Sequence, residues 1–296
     1  KEVKLWIAYP ISDHNQKISA IKISGDYAES AVYTDQQHSV PMLFARWDKG
    51  AASRKLTFVF DVDRKEVVRR DFPSKQPAWD PKDYEEYLKA SSLAPITGSV
   101  KELADKITKG KTTVVDKTHA IYDWILENMY RDPATYGCGK GDVCSLLEKP
   151  GGKCVDIHSV FVALARAAGV PAREIFGIRL AKKGSQDVST WQHCWAEFFV
   201  PGYGWVPADP ADVRKAMLTQ KLELKDPKIV ELRKYYWGAT DPYRVAVGSG
   251  RDLTLNPPQH GKPVSYLMYP FAQVGDETID SINPETFKYH FMFKEK

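Results

Sequence analysis

The stretch that decides the fold is residues 151–173, GGKCVDIHSVFVALARAAGVPAR. After Cys154 the apolar side chains recur at helical spacing, and Gly169 with Pro171 just beyond it is typical of a helix end. The segment therefore predicts a buried helix that begins at or next to Cys154.

The position of Cys154 is chemically significant. The first turn of a helix presents backbone N–H groups that have no partner within the helix, together with the positive end of the helix dipole. These groups stabilise a thiolate and can bind the oxyanion of a tetrahedral intermediate. Gly151 and Gly152 permit close approach of a substrate backbone. Cys154 is therefore the candidate nucleophile.

Strands are predicted after this helix, at residues 172–180, 191–200 and 205–208. The last two are joined by the turn residues 201–204 (PGYG), which favour a hairpin. The sequence thus predicts that the helix packs on an antiparallel sheet that contains this hairpin.

His193 lies in the second of these strands. Period-two alternation places His193 and Trp195 on one face and Cys194 on the other, so Cys194 is expected to be a core residue. Depending on turn length, His193 faces Pro210 or Asp212, and either register leaves Asp209 within reach of the imidazole. An aspartate that accepts from one ring nitrogen fixes the tautomer and leaves the other nitrogen for a thiol. The residues thus predict a Cys154, His193, Asp209 centre.

Four segments, in this order, resemble the transglutaminase-like superfamily: GKC at 152–154, ARAAGVPAR at 165–173, HCWAE at 193–197 and GWVPADP at 204–210. The resemblance covers about residues 100–212. It implies a papain-like fold and acyl transfer on amide bonds through a thioester on Cys154. The implied substrate is a protein or peptide, with cell-wall peptide as one class, and no cofactor or metal is expected.

Members of this superfamily also use a second oxyanion donor upstream of the nucleophile. Tyr130 and Tyr136 are candidates for it, and Gln192 is another by position. Trp195 is a candidate for lining the substrate cleft, although packing around the His–Asp pair is an equal alternative. Arg173 is expected to pair with a carboxylate at the sheet edge.

The N-terminal residues indicate a separate β-domain. Short alternating strands at 3–7, 18–23 and 55–62 favour an antiparallel β-sandwich, and residues 72–81 hold three prolines without hydrophobic periodicity. The predicted fold class is α+β, with a β-sandwich domain at 1–75, a linker at 76–98 and the transglutaminase-like catalytic domain at 99–296.

Further helices are predicted in the catalytic domain. A capping box at Ser99 with Glu102 begins one of them, and residues 116–129 carry an apolar stripe. A third helix is expected between Asp226 and Gly238, because an N-cap aspartate precedes a first-turn proline.

Charge and hydropathy exclude several classes of protein. The 42 basic and 38 acidic residues give a net charge of +4, and they are scattered without a basic stripe, so no nucleic acid partner is expected. No apolar run approaches the roughly 20 residues that span a bilayer. Because the sequence starts without an initiator methionine, we expect an exported protein, periplasmic or extracellular.

The four cysteines leave two alternatives open. Cys138 and Cys144 flank a glycine-rich loop, where a disulfide and two free thiols are equally compatible with the sequence. A zinc site formed by Cys138, Cys144, Cys154 and His158 is a competing chemistry, although the spacing of these residues is unlike that of zinc knuckles. At the level of function, the alternative to an enzyme is a module that keeps the fold and binds peptide or glycan without turnover.

Overall fold

A computed structural model describes residues 1–35, 37–73 and 75–296. Its helices are α1 (Ser99–Ile107), α2 (Val114–Asn128), α3 (Val143–Glu148), α4 (Cys154–Ala167), α5 (Pro210–Gln220) and α6 (Pro227–Tyr236), with a 3-10 helix at Pro81–Leu88. Its strands are β1 (Val3–Ala8), β2 (Gln16–Gly25), β3 (Glu29–Thr34), β4 (Pro41–Trp47), β5 (Leu56–Arg64), β6 (Val67–Val68), β7 (Tyr130–Arg131), β8 (Gly151–Gly152), β9 (Ala172–Arg179), β10 (Ser185–Asp187), β11 (Gln192–Val200), β12 (Gly204–Ala208), β13 (Ala239–Thr240), β14 (Arg244–Ser249), β15 (Phe271–Val274), β16 (Glu277–Ile279) and β17 (Met292–Lys294).

The chain divides into two compact units. Unit 1 comprises Lys1–Lys65, Ile175–His193 and Pro242–Lys296, and unit 2 comprises Glu66–Glu174 and Cys194–Asp241. This partition differs from the predicted one, which assigned all residues after 98 to the catalytic domain. The physical reason is strand pairing, because the C-terminal strand β15 joins β1 in one sheet.

Unit 1 contains a five-stranded antiparallel sheet with the order β16-β15-β1-β4-β3. Trp6 of β1 lies opposite Phe44 of β4 and Phe271 of β15, and its ring contacts both rings. The predicted strands at 3–7, 18–23 and 55–62 are confirmed as β1, β2 and β5. However, within the described part of the chain β2 and β5 pair only with each other, in a separate two-stranded ribbon, and the sheet of β1 is completed by C-terminal strands.

Unit 2 is built around α4, in which every residue except Arg166 is buried. Helices α1, α2, α3 and α5 pack against it, as expected for a helix that is apolar on all sides. The predicted helix from Cys154 to a stop at Gly169 is confirmed. The helix at Ser99 is also confirmed, but its capping box was wrong, because Gly98 is the N-cap and makes no side-chain hydrogen bond.

The hairpin of β11 and β12 positions the candidate site. Ala196 lies opposite Ala208, where the paired register ends. Both predicted registers were wrong, because the observed pairing is offset by one residue from each of them. Strand β12 ends at Ala208, and the chain then enters α5.

Candidate active site

Cys154 is the first residue of α4 and is 2% exposed. The backbone on either side of it is fixed. Gly152 pairs with Arg131 in the short parallel bridge of β7 and β8, and the N–H of Val155 donates to the carbonyl of Cys138 at 3.1 Å. The nucleophile predicted from the sequence is therefore at a helix start, where the helix dipole favours a thiolate.

Asp156, at the third position of α4, ties the glycine-rich loop to this helix start. Its carboxylate accepts from the N–H groups of Lys153 at 3.1 Å and Gly141 at 2.9 Å. A Cβ atom on Gly139 would lie 2.0 Å from the same carboxylate, so only glycine fits there. Burial raises the pKa of Asp156 despite these hydrogen bonds, and the adjacent Cys154 side chain adds to the rise.

Asp209 lies at the other side of the site, as the N-cap of α5. Its side chain is completely buried, and its Oδ1 accepts from the N–H of Asp212 at 3.0 Å. Its own N–H donates to the carbonyl of Tyr236 at 3.0 Å. Helix α5 was not predicted, although the Asp209-Pro210 pair carries the same N-cap and first-turn proline signature that correctly predicted α6.

His193 is 3% exposed in β11. A ring nitrogen of His193 and one carboxylate oxygen each of Asp209 and Asp212 lie within 4.8 Å of one another. The expected proximity of His193 and Asp209 is therefore present. Asp212 is a second buried carboxylate beside them, which the sequence reasoning considered only as a register alternative.

Cys194 and His158 join α4 to the same region. Cys194 is fully buried, as expected for a core residue, and its thiol interacts with the side chain of Cys154. The Nδ1 atom of His158 lies 3.3 Å from the Cys194 Sγ atom, and its Nε2 atom lies 3.2 Å from Asp209 Oδ1. The sequence assigned no role to His158. Its position one helical turn after Cys154 was the available signal.

The candidates for the oxyanion donor and the substrate cleft differ in their exposure to solvent. Tyr130 and Tyr136 are largely exposed, and the Tyr130 ring covers Gly151 so closely that a Cβ there would meet its hydroxyl at 2.5 Å. Gln192 donates its side-chain N–H to the carbonyl of Ser189 at 2.8 Å. Trp195 is 1% exposed, so it is buried rather than lining an open surface.

Arg173 pairs with a carboxylate at the sheet edge, as predicted. Its Nε and Nη2 atoms donate to Glu197 Oε2 at 2.9 and 2.7 Å, and its guanidinium lies 4.1 Å from the centre of the Trp205 ring. Arg173 follows β9's first residue and Glu197 lies in β11, so the pair joins these strands.

Within the described residues, no disulfide joins any of the four cysteines, and Cys144 is exposed whereas Cys138 is buried. Within the residues that the structure describes, the three-residue group close enough to hold a metal is His193 with Asp209 and Asp212, and it contains none of the cysteines.

A family model and two relatives match this chain in sequence. The model of the "Transglutaminase-like superfamily" core matches residues 101–210. An uncharacterized protein of Haemophilus influenzae is 37% identical over 318 residues, which span 99% of this chain and 86% of that protein. The uncharacterized protein YebA of Bacillus subtilis is 28% identical over 44% of this chain and 20% of its own length.

Among solved structures, one from Cytophaga hutchinsonii named a "putative cysteine protease" superposes with a TM-score of 0.56 at 18% identity. The superposition covers 84% of this chain and 76% of that one, and at this identity it shows a shared fold. The matched core ends at Pro210, so it includes Cys154, His193 and Asp209. Together, the core match and the Haemophilus influenzae relative show that this chain belongs to the transglutaminase-like superfamily.

Proposed function

We propose that the chain is a thiol-dependent acyl-transfer enzyme that acts on amide bonds, with Cys154 as nucleophile, His193 as base and Asp209 as the residue that orients the imidazole. His193 takes the thiol proton, and the thiolate attacks the amide carbonyl. The tetrahedral intermediate collapses to a thioester on Cys154 while His193 gives the proton to the leaving amine. Water or a second amine then releases the acyl group.

The observation that carries this proposal is the meeting of three elements at one buried point. Helix α4 brings Cys154 to β11 at Cys194, the residue directly after His193, and α5 begins at Asp209 beside the same strand. A helix-start thiol, a strand imidazole and a buried carboxylate are the three parts of a nucleophilic centre.

The proposed substrate is a protein or peptide amide, and hydrolysis is the proposed outcome. Transamidation requires a site that excludes water while it admits an amine, whereas hydrolysis requires only water. No helix in the described residues is long and apolar enough to cross a lipid bilayer. Export stays a prediction, which cell fractionation of the native host tests directly.

Alkylation by iodoacetamide tests the nucleophile, and Cys144 is an internal control because it is exposed whereas Cys154 is buried. Peptide-level mass spectrometry at pH 6.5 is expected to show Cys154 reacting about tenfold faster than Cys144, and His193→Ala is expected to remove that advantage. A Cys154 rate that is unchanged in His193→Ala would refute the proposal.

Acyl transfer is tested separately with p-nitrophenyl acetate as the acyl donor. If the chain is an acyl-transfer enzyme, we expect a burst of p-nitrophenol and an acetyl group on Cys154. The Cys154→Ala variant is expected to show no burst and no acetylation. A peptide- or glycan-binding module predicts no burst and no acetylated Cys154 in the unaltered protein. That result would refute the enzyme hypothesis and support the hypothesis of a peptide- or glycan-binding module.

A further inference from the structure

His158 is a completely buried imidazole that the proposed mechanism does not use. It lies on α4 one turn after Cys154. Its Nδ1 atom is 3.3 Å from Cys194 Sγ and its Nε2 atom is 3.2 Å from Asp209 Oδ1. The ring therefore connects a thiol that interacts with the nucleophile to the carboxylate at the start of α5.

The Cys194 thiol lies against Nδ1 of His158, so the two ring nitrogens of His158 face different groups. Burial raises the pKa of the Cys194 thiol well above its usual range, and the neighbouring Cys154 thiol raises it further. Cys194 therefore keeps its proton at neutral pH, and its sulfur lies 3.3 Å from Nδ1 of His158. In the tautomer of a neutral imidazole that has its proton on Nε2, Nδ1 is an acceptor and the Nε2–H group faces Asp209.

Asp209 Oδ1 is thus held from two helices. The backbone N–H of Asp212 in α5 reaches it at 3.0 Å, and the Nε2 atom of His158 in α4 reaches it at 3.2 Å. The Nε2 contact does not have the geometry of a hydrogen bond, so it acts through the electrostatic attraction between the ring and the carboxylate. A hydrogen bond on one side of Oδ1 and a close ring on the other restrict rotation of the carboxylate, as outer contacts do for catalytic groups.

We propose that His158 is a positioning residue, whose ring holds the carboxylate of Asp209 through the close Nε2 contact and thereby sets the orientation of His193. This proposal rests on the roles proposed above for His193 and Asp209. Helix α4 would then carry both the nucleophile Cys154 and, four residues later, the residue that holds Asp209. The helix keeps the spacing between Cys154 and His158 constant.

Two matched substitutions separate this role from packing. In His158→Gln the side-chain amide reaches the Nε2 position, whereas in His158→Asn it reaches only the Nδ1 position near Cys194. The readout is the rate of iodoacetamide alkylation of Cys154 between pH 5 and 10. It needs no knowledge of the substrate.

The thiolate of Cys154 at low pH depends on a stable imidazolium at His193, and a loosely held Asp209 stabilises that imidazolium less. His158→Asn is expected to shift the profile upward by about one pH unit, which is about tenfold in rate at pH 6, with rates that converge above pH 9. His158→Gln is expected to stay within about threefold of the unaltered protein. The other titratable side chains around Asp209 and Cys194 are unchanged in both variants: Tyr122, Cys138, Cys154, Glu174, His193 and Asp212.

Ser159→Ala is the control for general damage to α4. Ser159 is the buried neighbour of His158 and donates to Glu174 Oε1 at 2.7 Å, so its removal is expected to lower stability without a shift of the profile. If the Asn and Gln variants both overlay the unaltered protein, or both shift equally, His158 does not act through Nε2 and the proposal is overturned. If the proposed function itself is wrong, the result is different: His193→Ala then leaves the alkylation rate of Cys154 unchanged.

Discussion

The glycine-rich loop before α4 gives a prediction whose magnitude follows from the structure. In Gly139→Ala the new methyl group would lie 2.0 Å from one carboxylate oxygen of Asp156 and 2.3 Å from the other, at a φ of +97°. The carboxylate has to move, and it then loses the N–H groups of Gly141 and Lys153. Hydrogen bonds to a charged group contribute about 1.5–3 kcal/mol each, and the positive φ adds about 1–2 kcal/mol of strain. The free energy of unfolding is therefore expected to fall by at least about 4 kcal/mol.

Urea unfolding at pH 8, followed by tryptophan fluorescence, measures this change. Gly110→Ala is the matched control, because Gly110 also has a positive φ, +75°, but no atom lies within 4 Å of the added methyl group. It is expected to cost only the strain. In an Asp156→Ala background, Gly139→Ala is likewise expected to cost only the strain. If Gly139→Ala costs no more than Gly110→Ala in the unaltered background, the assigned contact with Asp156 is wrong.

Two further predictions concern ion pairs and pH. Arg173→Lys is expected to lower the unfolding free energy by about 1–2 kcal/mol in a urea titration, because lysine cannot place two donors on Glu197; an unchanged midpoint would contradict this. The backbone N–H of Lys55, with the Ser53 hydroxyl and Trp47 indole, lowers the pKa of Asp26 from 3.8 to about 2. The folded state binds the proton less tightly, so this stabilisation is present above about pH 4 and is lost as the pH falls toward 2. Asp26→Asn is expected to flatten that part of the stability curve, and an equally steep acid loss in the variant would refute the assignment.

Local patterns predicted the elements that carry the site. Helix α4 follows from its apolar periodicity and its Gly169 stop, and β11 follows from alternation, so the places of Cys154 and His193 in their elements were accessible from sequence. Helix α5 was not predicted, because Asp209 was interpreted as a neighbour of the preceding strand rather than as an N-cap. Asp209 directly follows β12, caps α5 and lies beside the imidazole of His193.

Contacts between residues far apart in the sequence could not be predicted from local sequence patterns. Neither the approach of His158 to Asp209 nor the interaction of Cys194 with Cys154 is visible in any window of sequence, because each depends on how α4 packs against β11 and α5. The same limit applies to the domain boundaries. Pairing of β15 with β1 carries no local signal, so the last residues were assigned to the catalytic domain on sequence order alone.

The pairing of β1 with β15 also has a consequence during synthesis on the ribosome. Trp6 leaves the exit tunnel early, but its partner Phe271 is translated 265 positions later. At elongation rates of about 5–20 residues per second, that interval is on the order of 13 to 50 seconds. Throughout it, one edge of β1 lacks its neighbouring strand while β4 already covers the other edge. A nascent chain in this state exposes backbone groups that can pair with other chains, so holding chaperones are expected to associate with it until the last strands emerge.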